Sequence, residues 1–428
     1  MNEFLNEKVM PKIVKFINTK AIQSLKDGMI YIMPVLIVGS FFLLIANLPF
    51  KPLANFISAY GIDKVLMQVY GATYEIMAMI VVLGVTYTYV NKSGYDGFPA
   101  AVIAFAVFIV MLSSSKTDVA SGVTISGIIP KTWTSAQGMV CAILIAFYVG
   151  ISYCWFLKRN IRIKLPDSVP ENIANSFSAL IPGAVIIIIA AVVFGFFDKV
   201  LNTTIFEWIY KIIQMPLQGM TDSLGGMIII SLAIPFFWIF GVHGSSIVNA
   251  IVVPFLRANL QDNQALLEAG KLTLDNGAHI VTEQFYDNIF MMTGSGITIG
   301  IAVYLAFMSR SKQCKDLGKL ALLPSLFNIN EPIMFAVPIV FNPIMAVPFL
   351  ITPLVSGLLS YFAIYTGIVP FFTGVVVPWT TPPVISGFIL GGWRMALLQV
   401  VIIILSILIY LPFIRKVDLM NLESEKSS

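Results

Sequence analysis

Glu331 stands where a carboxylate is costly. It lies between two asparagines and a proline in Phe-Asn-Ile-Asn-Glu-Pro-Ile, inside the otherwise apolar stretch 322–343. A charge at bilayer depth costs on the order of 2.5–3.5 kcal/mol on insertion scales, so an intramembrane carboxylate marks a site by default. A second polar group interrupts another apolar run: His243 in Gly241-Val242-His243-Gly244-Ser245-Ser246, five residues after Trp238. A third interrupted stretch, 375–383, carries Trp379 among three prolines. His243, Asn330 and Glu331 offer hydrogen-bond donors and acceptors, and Trp238 and Trp379 offer flat apolar faces. Metal chemistry does not fit: His243 and His279 are the two histidines, and no His-Glu-x-x-His string exists. Nor is there a Gly-x-x-x-x-Gly-Lys-Ser/Thr string for nucleotide phosphates, and no cofactor is expected.

The elements that carry these groups are broken helices. The 322–343 stretch holds four prolines, and each one inside a helix removes an amide donor and clashes with the preceding turn. Non-helical backbone at membrane depth is tolerated only where protein or a cavity covers it. Interrupted apolar segments of this kind point to a transporter binding site.

That these segments lie in a bilayer follows from composition. Of 428 residues, 58% are hydrophobic and 11% charged, with a mean hydropathy of +0.88. Soluble proteins average about 25% charged residues. A soluble enzyme, a nucleic-acid binder and a disordered scaffold do not fit. Apolar runs at 29–48, 77–90, 136–157, 177–197, 290–308 and 396–413 approach the length a transmembrane helix needs. They lack the period-2 alternation of a barrel. The expectation is an all-α polytopic membrane protein.

Cations orient it. Lys8, Lys12, Lys15, Lys20 and Lys26 precede the first run, and Lys158, Arg159, Arg162 and Lys164 follow the fourth span. Arg310, Lys312, Lys315 and Lys319 form a third cluster, and Arg415 and Lys416 end the last run. Short Lys/Arg-rich loops stay inside, so both termini are expected in the cytoplasm. Five spans, near Met29, Tyr70, Phe98, Ala136 and Phe177, leave the chain outside. An odd number of crossings must then precede Arg310. Reading 225–256 as a hairpin that returns to its own side, and 290–308 as one span, satisfies that parity.

The strings Phe-Gly-Val-His-Gly (240–244) and Phe-Asn-Ile-Asn-Glu-Pro-Ile (327–333) resemble enzyme IIC of the phosphoenolpyruvate-dependent sugar phosphotransferase system, in its lactose/cellobiose/diacetylchitobiose branch. The likeness runs from Asp27-Gly28 and Met33-Pro34 to the last span. It implies about ten transmembrane helices plus two re-entrant hairpins in a homodimeric, elevator-type transporter of the bacterial plasma membrane. It also implies a scaffold and dimerisation domain (1–200), an amphipathic connector (201–222), a sugar-binding domain (223–414) and a cytoplasmic tail (415–428). The substrate would be a β-linked disaccharide, and the partner a phosphorylated IIB protein charged by IIA. By the same resemblance Glu331 and His243 lie near the hydroxyl that receives phosphate, and Glu331 orients or activates it.

Sugar chemistry agrees with the residues, since hydroxyls need polar partners and C–H faces need flat apolar ones. Trp133, Trp155 and Trp208 read as interfacial anchors, Asp222, Glu283 and Asp287 as loop or helix-end residues, and His279 as exposed. Cys141 and Cys154 read as packing residues, and Cys314 as a loop thiol among cations. About fifteen residues follow the last span, so no IIB domain and no phosphoryl-carrying residue are expected. The competing class is a proton- or sodium-coupled secondary sugar transporter, which would also use broken helices and an intramembrane Glu.

Overall fold

The computed structural model describes Lys15 and residues 18–46, 56–117, 124–166, 168–240, 243–337, 339 and 342–427. The chain is mostly helical and divides into two compact units, Ile13–Leu217 and a second containing Gln218–Ser428. Among the described residues six helices are long and apolar enough to cross a membrane. A seventh span arises if Ile205–Asp222 and Leu224–Ile239, which meet at 77°, count as one.

The first unit is regular. Its longer helices are α1 (Lys20–Ile30), α2 (Met33–Ala46), α3 (Ile62–Thr73), α4 (Met77–Asn91), α5 (Gly97–Met111), α6 (Met139–Lys158) and α7 (Leu180–Lys199). Pro34 sits in the first turn of α2, so the run expected over 29–48 is shared by two helices that meet at Tyr31-Ile32. Asp96 caps α5, its carboxylate accepting from the Phe98 amide at 3.1 Å. The central helix is α4, packed against α1, α5 and α6, with Val81, Val82 and Val85 fully buried. Between α5 and α6 an antiparallel ribbon pairs β1 (Ser115–Thr117) with β2 (Thr124–Ser126), a small departure from an all-α fold. The outer face of α7 leaves Ile188, Val192 and Phe196 exposed, as suits a helix bathed in an apolar medium.

The second unit is irregular. Helix α8 (Leu224–Ile239) packs against α9 (Gly244–Glu268), and His243 belongs to neither helix, so 225–256 is interrupted as expected. The run at 290–308 is not a span. Only α10 (Ile299–Phe307) is an α-helix there, about 13 Å long against about 30 Å of hydrocarbon. A π-helical turn ends at Phe290 and residues 291–298 are irregular, because Thr-Gly-Ser-Gly breaks the helix. The crossing that parity assigned to this run is therefore not made by one helix.

The proline-rich stretch is broken into helical pieces as expected. Helix α11 (Lys312–Leu326) is followed by a turn, the six-residue α12 (Glu331–Ala336) and α13 (Pro343–Tyr365). Pro332 and Pro343 occupy first-turn positions, where a missing amide is harmless. Residues 366–384 form neither helix nor strand. The last helix, α14 (Ile385–Ser427), kinks at Gly391-Gly392 and then continues through the segment read as a tail. There Asp418 accepts from the amides of Arg310 and Ser311, and Glu425 from those of Lys312 and Gln313.

Helix α10 is held by close backbone approach. A Cβ on Gly300 would meet the Ser406 carbonyl carbon of α14 at 2.6 Å. We expect Gly300→Ala to destabilise the protein by about 1–3 kcal/mol through overpacking. Gly195→Ala on α7, where a Cβ meets nothing within 4 Å, should not. Thermal unfolding of both variants in detergent measures the contrast.

Candidate functional site

The polar groups singled out in the sequence gather around one buried loop, 291–298. Thr293, Gly294, Gly296 and Ile297 all have positive φ (58°, 89°, 82° and 54°), which only glycine adopts without strain. Thr293, Ser295, Ile297 and Thr298 are nevertheless buried, so their backbone groups need partners from elsewhere. The Asn328 Oδ1 accepts from the Thr293 amide at 2.6 Å, and the Asn330 Nδ2 donates to the Ser295 carbonyl at 2.7 Å. From α14, Tyr410 donates to the Gly296 carbonyl at 2.7 Å and Ser406 to the Ile297 carbonyl at 2.6 Å. A Cβ on Gly294 would strike the Asn330 amide, at 2.3 Å from its Cγ, so this glycine lets Asn330 approach.

Four of the five residues predicted for the site connect through this loop or its contacts. Trp238, at the end of α8, is 4% exposed, and its Nε1–H donates to the Ser295 Oγ at 3.0 Å. Its ring packs against His243 at a centroid distance of 4.6 Å. His243 itself is exposed, with Nδ1 3.0 Å from the Ser245 hydroxyl. Asn330 is buried, and its amide hydrogens go to Ser295 and to the Thr298 hydroxyl at 3.0 Å. It therefore has only its Oδ1 to offer a ligand. Trp379 is 52% exposed, and its carbonyl accepts from the Asn328 Nδ2. Glu331 follows Asn330 as the first residue of α12, while its side chain lies outside the described residues.

A second set of amides escaped sequence reasoning. The irregular segment 366–384 is tied down by side chains rather than by a ladder. The Asn263 Nδ2 donates to the Phe372 carbonyl at 2.9 Å, the Gln264 Oε1 accepts from the Gly374 amide at 3.0 Å, and the Gln284 Oε1 from the Val377 amide at 3.3 Å. Gln399 accepts from the Val384 and Gly387 amides at 2.6 and 2.9 Å. Val384 has φ of 73°, an outlier for a β-branched residue that Gln399 helps to hold. The available signal was Gln399 alone within the apolar last run; Asn263 and Gln264 merged into a polar stretch.

The charged residues also differ from expectation. Glu283 is not a solvated helix end: it is 4% exposed and pairs through both oxygens with Nε and Nη2 of the buried Arg257. Nor is His279 exposed. Its Nδ1 lies 3.0 Å from Asp222 and its Nε2 3.7 Å from Asp262, with one fifth of the side chain accessible. Burial lowers its proton affinity, but hydrogen bonds and charge from the two aspartates outweigh this and raise the pKa from 6.5 to about 9. Cys314 is buried within the first turn of α11 rather than standing in a loop. Among the described residues no group of His, Cys, Asp and Glu is arranged to hold a metal ion.

Comparison with known proteins adds to this geometry. The family model for the phosphotransferase system EIIC matches residues 26–353. The lichenan permease IIC component of Bacillus subtilis (strain 168) is 36% identical, over 99% of this chain and 95% of that protein. The cellobiose-specific EIIC component of Geobacillus stearothermophilus is 35% identical over 96% of this chain and 92% of its own length. The lactose-specific EIICB component of Lacticaseibacillus casei is 32% identical over 98% of this chain, which covers 72% of it. Among solved structures, the transporter ChbC, the IIC component from the N,N'-diacetylchitobiose-specific phosphotransferase system, superposes with a TM-score of 0.94 at 31% identity. The match covers 99% of both chains.

His279 sets a pH dependence of stability. Its folded pKa of about 9 exceeds the ordinary 6.5, so the folded state binds the proton more tightly. The stabilisation is full below about pH 6.5 and is lost as pH rises through about 9. Unfolding temperatures of wild type and His279→Gln measured from pH 6 to 10 should converge at the alkaline end.

Proposed function

From the premise that this chain belongs to the EIIC family of the phosphotransferase system, we propose that it binds one β-linked disaccharide and carries it across the bacterial plasma membrane. It then presents the sugar 6-hydroxyl to phosphorylated IIB. Membership makes the chain a multi-pass membrane permease of the lactose, cellobiose and chitobiose type, with a sugar substrate and a IIB partner. The secondary-transporter alternative is not favoured by any of these relatives. The proposed sugar is of the cellobiose, diacetylchitobiose or lactose type. The relatives named for cellobiose, lactose and diacetylchitobiose support that choice.

The observation that carries the site assignment is the convergence of three interrupted segments on loop 291–298. Trp238 comes from the end of α8, His243 from just before α9, Asn330 and Glu331 from the start of α12, and Trp379 from the irregular segment. In this reading the exposed Trp379 indole stacks on the sugar. Trp238, with its Nε1–H already bonded, backs the His243 ring. Asn330 Oδ1 and the Glu331 carboxylate accept from sugar hydroxyls. Glu331 orients the 6-hydroxyl and accepts its proton as the oxygen attacks the phosphorus carried by IIB; the bond between phosphorus and IIB breaks, and the IIB side chain leaves with that electron pair.

The finer architecture belongs to the same proposal. About ten transmembrane helices and two re-entrant hairpins, α8–α9 and α12 with its flanks, would form an elevator-type transporter with both termini cytoplasmic. Residues 1–200 would hold a homodimer, residues 201–222 would connect, and residues 223–414 would carry the sugar. The exposed apolar face of α7 supports a membrane- or partner-facing role for the first unit.

Two measurements test this. In inverted or reconstituted vesicles, 6-phosphorylated sugar should appear only with phosphorylated IIB; accumulation of free sugar on an ion gradient alone would sink the reading. Glu331→Gln removes a charge-assisted hydrogen bond worth about 1.5–3 kcal/mol. Binding should weaken by about one to two decades, at 1.4 kcal/mol per decade, and phosphorylation should fall further. Normal binding and phosphorylation by the variant would remove Glu331 from the site.

A further inference from the structure

We infer that Asn328 is a positioning residue that fixes the Trp379 turn relative to the Asn330-Glu331 turn and so sets the span of the sugar site. The inference rests on the sugar-site reading above. Asn328 lies in the turn between α11 and α12 with φ of 63°, a left-handed conformation that asparagine tolerates better than other side-chain-bearing residues. Its side chain bonds to two other segments at once. The Oδ1 accepts from the Thr293 amide at 2.6 Å, and the Nδ2 donates to the carbonyls of Trp379 and, at 3.0 Å, Thr381.

The chemistry of the joint is specific to an amide of this length. One acceptor oxygen and two donor hydrogens are required from a single planar group, and asparagine supplies both. Aspartate keeps the acceptor but turns a carboxylate oxygen toward two carbonyl oxygens. Glycine keeps the left-handed turn but supplies no side-chain bond. The segment that carries Trp379 has no helix or strand to fix it. Within it, Thr381 bonds back to the Pro378 carbonyl at 2.9 Å, which closes a turn around Trp379. Asn328 grips that turn by two of its carbonyls. The same side chain grips the loop that receives Asn330. A shift of the Trp379 backbone, and with it the root of the indole, relative to Asn330 and Glu331 therefore requires that these bonds open.

The test uses the full-length purified protein in detergent, with cellobiose, lactose and diacetylchitobiose as probes and tryptophan fluorescence as readout. Comparison with Trp379→Phe assigns the part of the sugar-induced signal that belongs to Trp379. Asn328→Gly should unfold within a few degrees of wild type, bind sugar at least ten-fold more weakly and lose the Trp379 part of the signal. Asn328→Asp should behave the same way, since it retains the acceptor for Thr293 and loses only the donors. Wild-type affinity with a full Trp379 signal in both variants overturns the inference and leaves the sugar-site reading intact. Loss of folding in both variants also overturns it, because Asn328 would then hold the fold rather than the site. Wild-type protein that answers none of the three sugars overturns the sugar-site reading and this inference together.

Discussion

Every break in a helix frees amide and carbonyl groups that an apolar surrounding cannot satisfy, and this constraint shapes the second unit. Water would settle the matter for a soluble loop; at membrane depth protein must do it. Side-chain amides answer that demand. Asn328 and Asn330 serve loop 291–298, while Asn263, Gln264, Gln284 and Gln399 serve the segment after α13. Ser406 and Tyr410 do the same from α14. The first unit, built mainly from continuous helices, buries valines and alanines instead.

This division explains what was legible in the sequence. Composition and apolar runs were enough for a polytopic helical protein, and Gly241–Ser246, the prolines of 322–343 and those of 375–383 marked three of the breaks. A fourth, at 293–296, was missed because Ile, Val and Leu on its C-terminal side kept the run apolar on average. Two glycines decided it locally, and hydropathy does not weigh backbone freedom. His279 and Glu283 were misread for a related reason. A polar stretch reads as solvated unless its charges have partners, and Asp222 and Arg257 are each more than twenty residues away in the chain. Nothing in a one-dimensional pattern brings them together.

The site residues divide by the same logic. Trp238 and Asn330, the most buried of those described, have their polar hydrogens already engaged by the loop. His243 and Trp379 are the exposed pair. Residue type alone cannot separate a side chain that faces a ligand from one that supports the surface the ligand meets. Asn328 and Asn330 look equivalent in the string Asn-Ile-Asn-Glu-Pro, yet one reaches the Trp379 turn and the other the Ser295 carbonyl.

The end of α14 has a mechanical meaning. From its kink at Gly392 to Ser427 the helix is about 50 Å long, some 20 Å more than the hydrocarbon thickness of a bilayer. The surplus is no loose tether, because Asp418 and Glu425 clasp four successive amides where α10 gives way to α11. Each carboxylate is shared between backbone donors, so the turn cannot tilt independently of the column beside it. The last turns of α14 and the first turn of α11 therefore move as one body, and α11 leads into the turn that carries Asn328.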